Sequence, residues 1–166
     1  MVERNRKEAS RYNAAMKLMM KNQRNALRQD SVATGAWLVD DKQYILHGNG
    51  FYFLELTNHI EGLPEPPSAP PSLKVITDSR QELDGYAEYY LTGEEIKERL
   101  LGNSRVASFQ TADGEKWHVS ATLLRESLRI LGGRCRRLYV PPARNGIGVV
   151  EGSNGRIYIC PIMWSK

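Results

Sequence analysis

The stretch "ATLLRESLRILGG", residues 121–133, carries leucines at 123, 124, 128 and 131. Leucines at that spacing make one apolar side of a helix. Ser120 supplies an N-cap and Gly132-Gly133 a stop, so a helix is predicted over Ala121–Leu131. Arg125 and Arg129 stand four residues apart, away from the centre of the leucine side. Three short strands are predicted to follow, at Cys135–Val140, Ile147–Glu151 and Arg156–Ile162, with turns at Asn145-Gly146 and Asn154-Gly155.

The same order of elements is predicted near the N-terminus. "KLMMKNQRNALR", residues 17–28, belongs to a helix expected over Ser10–Gln29, with Ser10 as N-cap and residues 1–9 frayed. Tyr12, Ala15, Met16, Met19, Gln23, Ala26 and Leu27 share one side. Lys17, Lys21, Arg24 and Arg28 form a row roughly opposite. A helix built only for solubility interleaves Glu with Lys, yet no acid occurs between residues 9 and 29, and Glu126 is the single exception in the second helix. Strands at Ala36–Asp40, Gln43–His47 and Phe51–Leu56 follow, turned by Asp40-Asp41-Lys42 and Asn49-Gly50. Residues 10–57 and 121–162 thus read as one unit used twice, alike in element order and charge rather than in residue identity.

Between the units lies an insertion, 58–104, within a single domain of 166 residues. "LPEPPSAPPS", 63–72, holds five prolines in ten residues and reads as an extended connector. Leu73–Thr77 has the makings of a strand, while the acidic, tyrosine-rich residues 78–91 fit no element clearly. Thr92-Gly93-Glu94-Glu95 matches a capping box, so a short helix is expected to Leu101, stopped by Gly102. Arg105–Thr111 and Glu115–Val119 flank an Asp113-Gly114 hairpin signal. The expected fold class is α+β: two half-domains of helix plus antiparallel strands, with both helices on one face of the sheet.

Charge is unevenly spread. Residues 1–29 carry eight Lys/Arg against two acids, residues 30–101 five against thirteen, and residues 102–166 ten against four. Basic ends around an acidic middle suggest a polyanion partner met by the ends. Two basic helix rows on one layer would make a positive plate suited to duplex phosphates, where binding gains from counterion release and requires no base contact. Lys17, Lys21, Arg24, Arg28, Arg125 and Arg129 are the candidate phosphate contacts, with Arg134, Arg136 and Arg137 as helpers. Asn22, Gln23 and Asn25 leave base contacts open, and RNA or an acidic protein would satisfy the same charges. No apolar run is long enough to span a bilayer and the first residues lack a secretory signal, so the expectation is a cytoplasmic protein without membrane contact. Cys135 and Cys160 read as small, reduced side chains.

The segments "HVSATLLRESLRILGG", "CRRLYV", "GIGVVEGSNG" and "RIYICPIM" resemble the closing half of a DNA sliding-clamp domain, as in the bacterial polymerase III beta subunit. "YILHGNGFYFLEL" looks like the strand–turn–strand after the first helix of a clamp half-domain, and Cys160-Pro161-Ile162-Met163 like the Met-Pro-Met-type ending of that family. The resemblance implies paired half-domains whose helices line DNA in a ring and a role in DNA replication; the lack of cofactor motifs in the sequence adds the expectation of no cofactor. The family places several such domains in a subunit and this chain has room for one, so a homo-oligomer or an isolated relative is implied.

Catalytic motifs are not apparent. His47, His59 and His118 do not fall at metal-ligand spacing, and no Walker lysine, nucleophile elbow or dinucleotide fingerprint occurs. Ser104, Ser108 and Ser120 have no local base partner, and Tyr86, Tyr89 and Tyr90 read as a surface or contact element. The reading is therefore a non-catalytic, metal-free, clamp-like DNA-binding protein. The alternative is a protein-interaction module using the acidic, tyrosine-rich and proline-rich insertion, with an exposed Trp164 as a further marker. A small enzyme with a pocket at His59 and Tyr89 is the remaining rival.

Overall fold

The computed structural model describes residues 5–25, 35–48, 51–65, 83–91, 98–101, 104–133 and 136–162. Helix α1 (Arg6–Asn25) starts earlier than a cap at Ser10 would place it. The cap is Asn5: its Oδ1 accepts from the Glu8 N–H at 2.8 Å, and Glu8 Oε2 accepts from the Asn5 N–H at 3.3 Å. This reciprocal box satisfies two donors at the helix start and contributes about 1 kcal/mol, which leaves Ser10 inside the helix. Strands β1 (Trp37–Val39) and β2 (Lys42–Leu46) are joined through Asp40 and Asp41, both at positive φ, as a tight two-residue hairpin requires. Strand β3 (Tyr52–Leu56) returns beside β2.

Two strands come from the insertion. Strand β4 (Ala87–Leu91) pairs with β8 (Arg136–Val140), so the tyrosine-rich segment forms an edge of the main sheet. Strand β5 (Glu98–Leu101) pairs with β6 (Ser104–Gln110), which corrects the expected helix at these positions: backbone pairing across the short connection to β6 outweighs the local helical signal. The capping-box residues 92–97, the prolines at 66–72, the 73–77 segment, Asn49-Gly50 and Trp164 lie outside the described residues. Strand β7 (Lys116–Ser120) pairs with β6 and runs directly into α2 (Ala121–Leu131), where Ser120 Oγ accepts from the Leu123 N–H at 3.2 Å. Strands β8, β9 (Gly148–Gly152) and β10 (Gly155–Ile159) complete the described chain.

The fold is α+β, with a seven-stranded antiparallel sheet in the order β1-β2-β3-β10-β9-β8-β4 and a three-stranded sheet β5-β6-β7. Leaving aside β4 at the edge, the order is palindromic about β3 and β10: one helix precedes β1–β3, the other precedes β8–β10, and the last strands of the two triplets pair antiparallel at the centre. Ile45, Leu54, Ile157, Val150 and Leu138 sit opposite one another across five strands and form one fully buried row. Their core is shared with Ala15, Leu18 and Met19 of α1 and with Leu124, Leu128, Ile130 and Leu131 of α2. Alternation sends Tyr44, Glu55, Arg156, Glu151 and Arg137 to the opposite face, again in register. Ion pairs cross that face from Lys42 to Glu55 at 3.0 Å and from Arg156 to Glu151 at 2.7 Å.

Turn chemistry locks the central seam. Gly155 adopts φ 146°, and a Cβ there would collide with the backbone of Glu55 and Leu56, so only glycine lets β10 approach β3. Asn154 beside it donates to the Leu131 carbonyl at 2.8 Å and accepts from the Asn58 side chain at 2.9 Å. One turn residue thereby joins both triplets to the end of α2.

Candidate nucleic-acid interface

Helices α1 and α2 pack against each other in roughly opposite senses, because an early residue of α1 meets the last turn of α2. Arg11, almost fully buried, donates from Nε to the Ile130 carbonyl at 3.0 Å and from Nη2 to the Asn58 carbonyl at 2.9 Å. Burial lowers its pKa, with Glu8 acting in the other direction. Further along, Lys21 Nζ lies 3.5 Å from Glu126 Oε2.

This packing turns the basic rows toward each other. The buried residues of α1 include Arg11, Ala15, Leu18, Met19 and Asn22, so the core stripe is rotated from the expected one and Gln23 is exposed. The reason is that Arg11 and Asn22 find backbone partners and can enter the core as polar residues. Lys17, Lys21 and Arg24 consequently border the contact with α2 rather than standing opposite the core. Between the helices runs a groove of about 440 Å³. Ala14, Lys17, Leu18, Lys21 and Arg24 line it from α1; Thr122, Arg125, Glu126 and Arg129 line it from α2. Arg105 of β6 joins them, a cation the sequence did not single out because it lies on a strand far from either row.

Five of the nine sequence candidates therefore share one groove: Lys17, Lys21, Arg24, Arg125 and Arg129. Arg28 and Arg134 lie outside the described residues. Arg136 is half-buried and donates to the Leu128 carbonyl at 3.2 Å, with its pKa lowered by burial. Arg137 stands on the opposite face of the sheet, 3.4 Å from Glu88 and 5.5 Å from the centre of the Tyr90 ring. Neither joins the groove lining. Asn22, a candidate base reader, is committed to structure: it donates to the Leu46 carbonyl at 3.0 Å and accepts from the Gly48 N–H at 2.8 Å.

Beneath the groove lies a polar layer that the sequence did not announce. The Tyr52 hydroxyl, on β3, donates to Glu126 Oε1 at 2.6 Å. Burial, and then the neighbouring carboxylate, push the Tyr52 phenol far above its ordinary pKa, so it remains a donor. His47 is buried with its ring 5.2 Å from that of Tyr52 and 5.1 Å from Phe51. Burial lowers its pKa, opposed by Glu126 and assisted by Lys21.

Other sequence candidates resolve into packing roles. The Tyr86 hydroxyl donates to the Ile147 carbonyl at 3.2 Å and the Tyr89 hydroxyl to the Gln110 carbonyl at 2.7 Å, while Tyr90 is exposed beside Arg137. Ser108 does have a basic neighbour, His118, directly opposite on β7 at 2.6 Å. Its separation in sequence hid it; the Asp113-Gly114 turn was the signal that brings the two strands together. No group of three or more metal-ligating side chains occurs among the described residues, and no described helix is long and apolar enough to cross a membrane. Comparison with protein-family models, curated proteins and solved structures finds no match, so the functional reading rests on the geometry of the groove.

Proposed function

We infer that the groove contacts duplex DNA through its phosphates, without base readout and without catalysis, in a clamp-like, replication-associated role. The observation that carries this reading is the gathering of six cations from three elements around one groove, with a single carboxylate among the described residues that line it. Such a groove gains free energy by releasing counterions from a regularly charged duplex. One helix leads each strand triplet, which is in keeping with the paired half-domains that the sliding-clamp resemblance implies and supports the same reading. In a ring, several copies of the chain would present their helices to one duplex.

Titration of a short labelled duplex at increasing salt tests the reading. Binding should weaken along a straight line in the logarithm of salt concentration. Changing Lys17 and Arg24 together to Gln should flatten that line by about two units, close to 0.9 for each phosphate no longer neutralised. Failure to bind duplex even at low salt overturns the assignment. Capture of a protein partner that survives high salt and nuclease would point instead to an interaction module.

A further inference from the structure

We propose that Glu126 is a built-in brake on polyanion binding, a fixed internal competitor that occupies Lys21 and keeps affinity for duplex phosphates low. The proposal rests on the duplex-binding reading of the groove and deepens it.

Glu126 is the carboxylate among the ten described groove residues, and six of the others are cations. Its position is held from two sides. Oε1 accepts from Tyr52 at 2.6 Å, and Tyr52 is itself anchored in the sheet with almost no exposure. Oε2 faces Lys21 Nζ at 3.5 Å across the helix contact. A surface glutamate opposite a phosphate simply swings away; this one cannot do so without breaking a short charge-assisted hydrogen bond. Its side chain retains 23% exposure, so the negative charge is felt in the groove rather than hidden from it. A phosphate entering the groove must either displace Glu126 from Lys21, which leaves the carboxylate uncompensated beside it, or settle next to the intact pair without gaining Lys21. Both outcomes weaken binding.

A tie between helices is the plain structural use of the same contacts, and the two uses differ in what substitution does. Glu126→Gln keeps the shape and still accepts the Tyr52 hydroxyl, but removes the charge and releases Lys21. If Glu126 is a brake, this variant binds a short labelled duplex about eightfold more tightly at about 0.1 M salt, and its salt slope steepens by about 0.9, the worth of one further phosphate contact. If Glu126 only ties the helices, affinity stays level or falls along with the melting temperature, and the proposal is overturned.

Lys21 supplies a test that does not depend on the folding of the Glu126 variant. With the brake in place, Lys21→Gln costs under about twofold in duplex affinity, whereas Lys17→Gln costs about eightfold. Equal losses overturn the brake. Should native protein and Glu126→Gln both fail to bind duplex at low salt, the brake and the duplex reading fall together. Should both bind with identical slope, the brake alone falls.

Discussion

The Trp117 indole fills the space that a side chain at Gly148 would need: an added Cβ there would stand 2.5 Å from Cη2 and 2.6 Å from Cζ2. Trp117 lies on β7 and Gly148 opens β9, so this contact presses the small sheet against the large one. The indole N–H also donates to the Gly146 carbonyl at 3.1 Å, which fixes the ring against retreat. Gly148→Ala should therefore destabilise the protein by about 1–3 kcal/mol through overpacking. Urea unfolding measures it; a midpoint equal to that of the native protein would show that the sheets separate without cost.

Adjacent residues near the end of α1 should differ sharply in their tolerance of substitution. Asn22 is buried and bonds both Leu46 and Gly48, whereas Gln23 is exposed. Asn22→Ala leaves a backbone carbonyl and an N–H short of a partner and should cost about 1–3 kcal/mol. Gln23→Ala should stay within about 0.5 kcal/mol of the native protein. Thermal melts of the two variants provide the comparison, and similar melting temperatures would contradict the burial of Asn22.

His47 predicts a pH dependence whose sign follows from its lowered pKa. The unfolded chain takes up a proton near the ordinary value of 6.5, before the folded protein does. The neutral ring thus contributes stability above pH 6.5 that is lost as the pH falls toward the lowered folded value, by at most about 1.4 kcal/mol per pH unit. Lys21, Glu126 and Tyr52 surround it, and Glu126 moderates the shift. Denaturation at pH 7.5 and about 5.5 should show a smaller acid-side loss for His47→Gln than for the native protein. Parallel losses in the two proteins would remove His47 from the account.

Duplex binding should be confined to one face. Arg125→Gln, in the groove, should lower affinity and flatten the salt slope by about 0.9. Arg137→Gln, across the sheet beside Glu88, should leave both unchanged. A matching loss from Arg137 would move the binding surface to the other side of the sheet.

Legibility in the sequence follows locality. The α2 helix is readable to its last residue because its cap, leucine spacing and glycine stop all lie between Ser120 and Gly133. The hairpins are readable for the same reason. β4 and β5 are not, because their partners β8 and β6 decide their conformation and the sequences Ala-Glu-Tyr-Tyr-Leu and Glu-Arg-Leu-Leu show no plain apolar–polar alternation. The rotation of α1 is also hidden. Arg11 and Asn22 look like surface residues until distant carbonyls, at Ile130, Asn58 and Leu46, are brought to them. The charge rows are plain in the sequence, but their convergence on a groove with Arg105 depends on that rotation.

The palindromic seam has a consequence for biosynthesis. Strand β3 waits for residues 155–159 before its second edge is paired, so the first triplet leaves the ribosome with its apolar row unfinished. Nascent chains stalled before Gly155 should remain sensitive to protease within α1 and β1–β3, and resistance should arise only when β10 emerges. Maturation of the two halves is then a single late event rather than two successive ones.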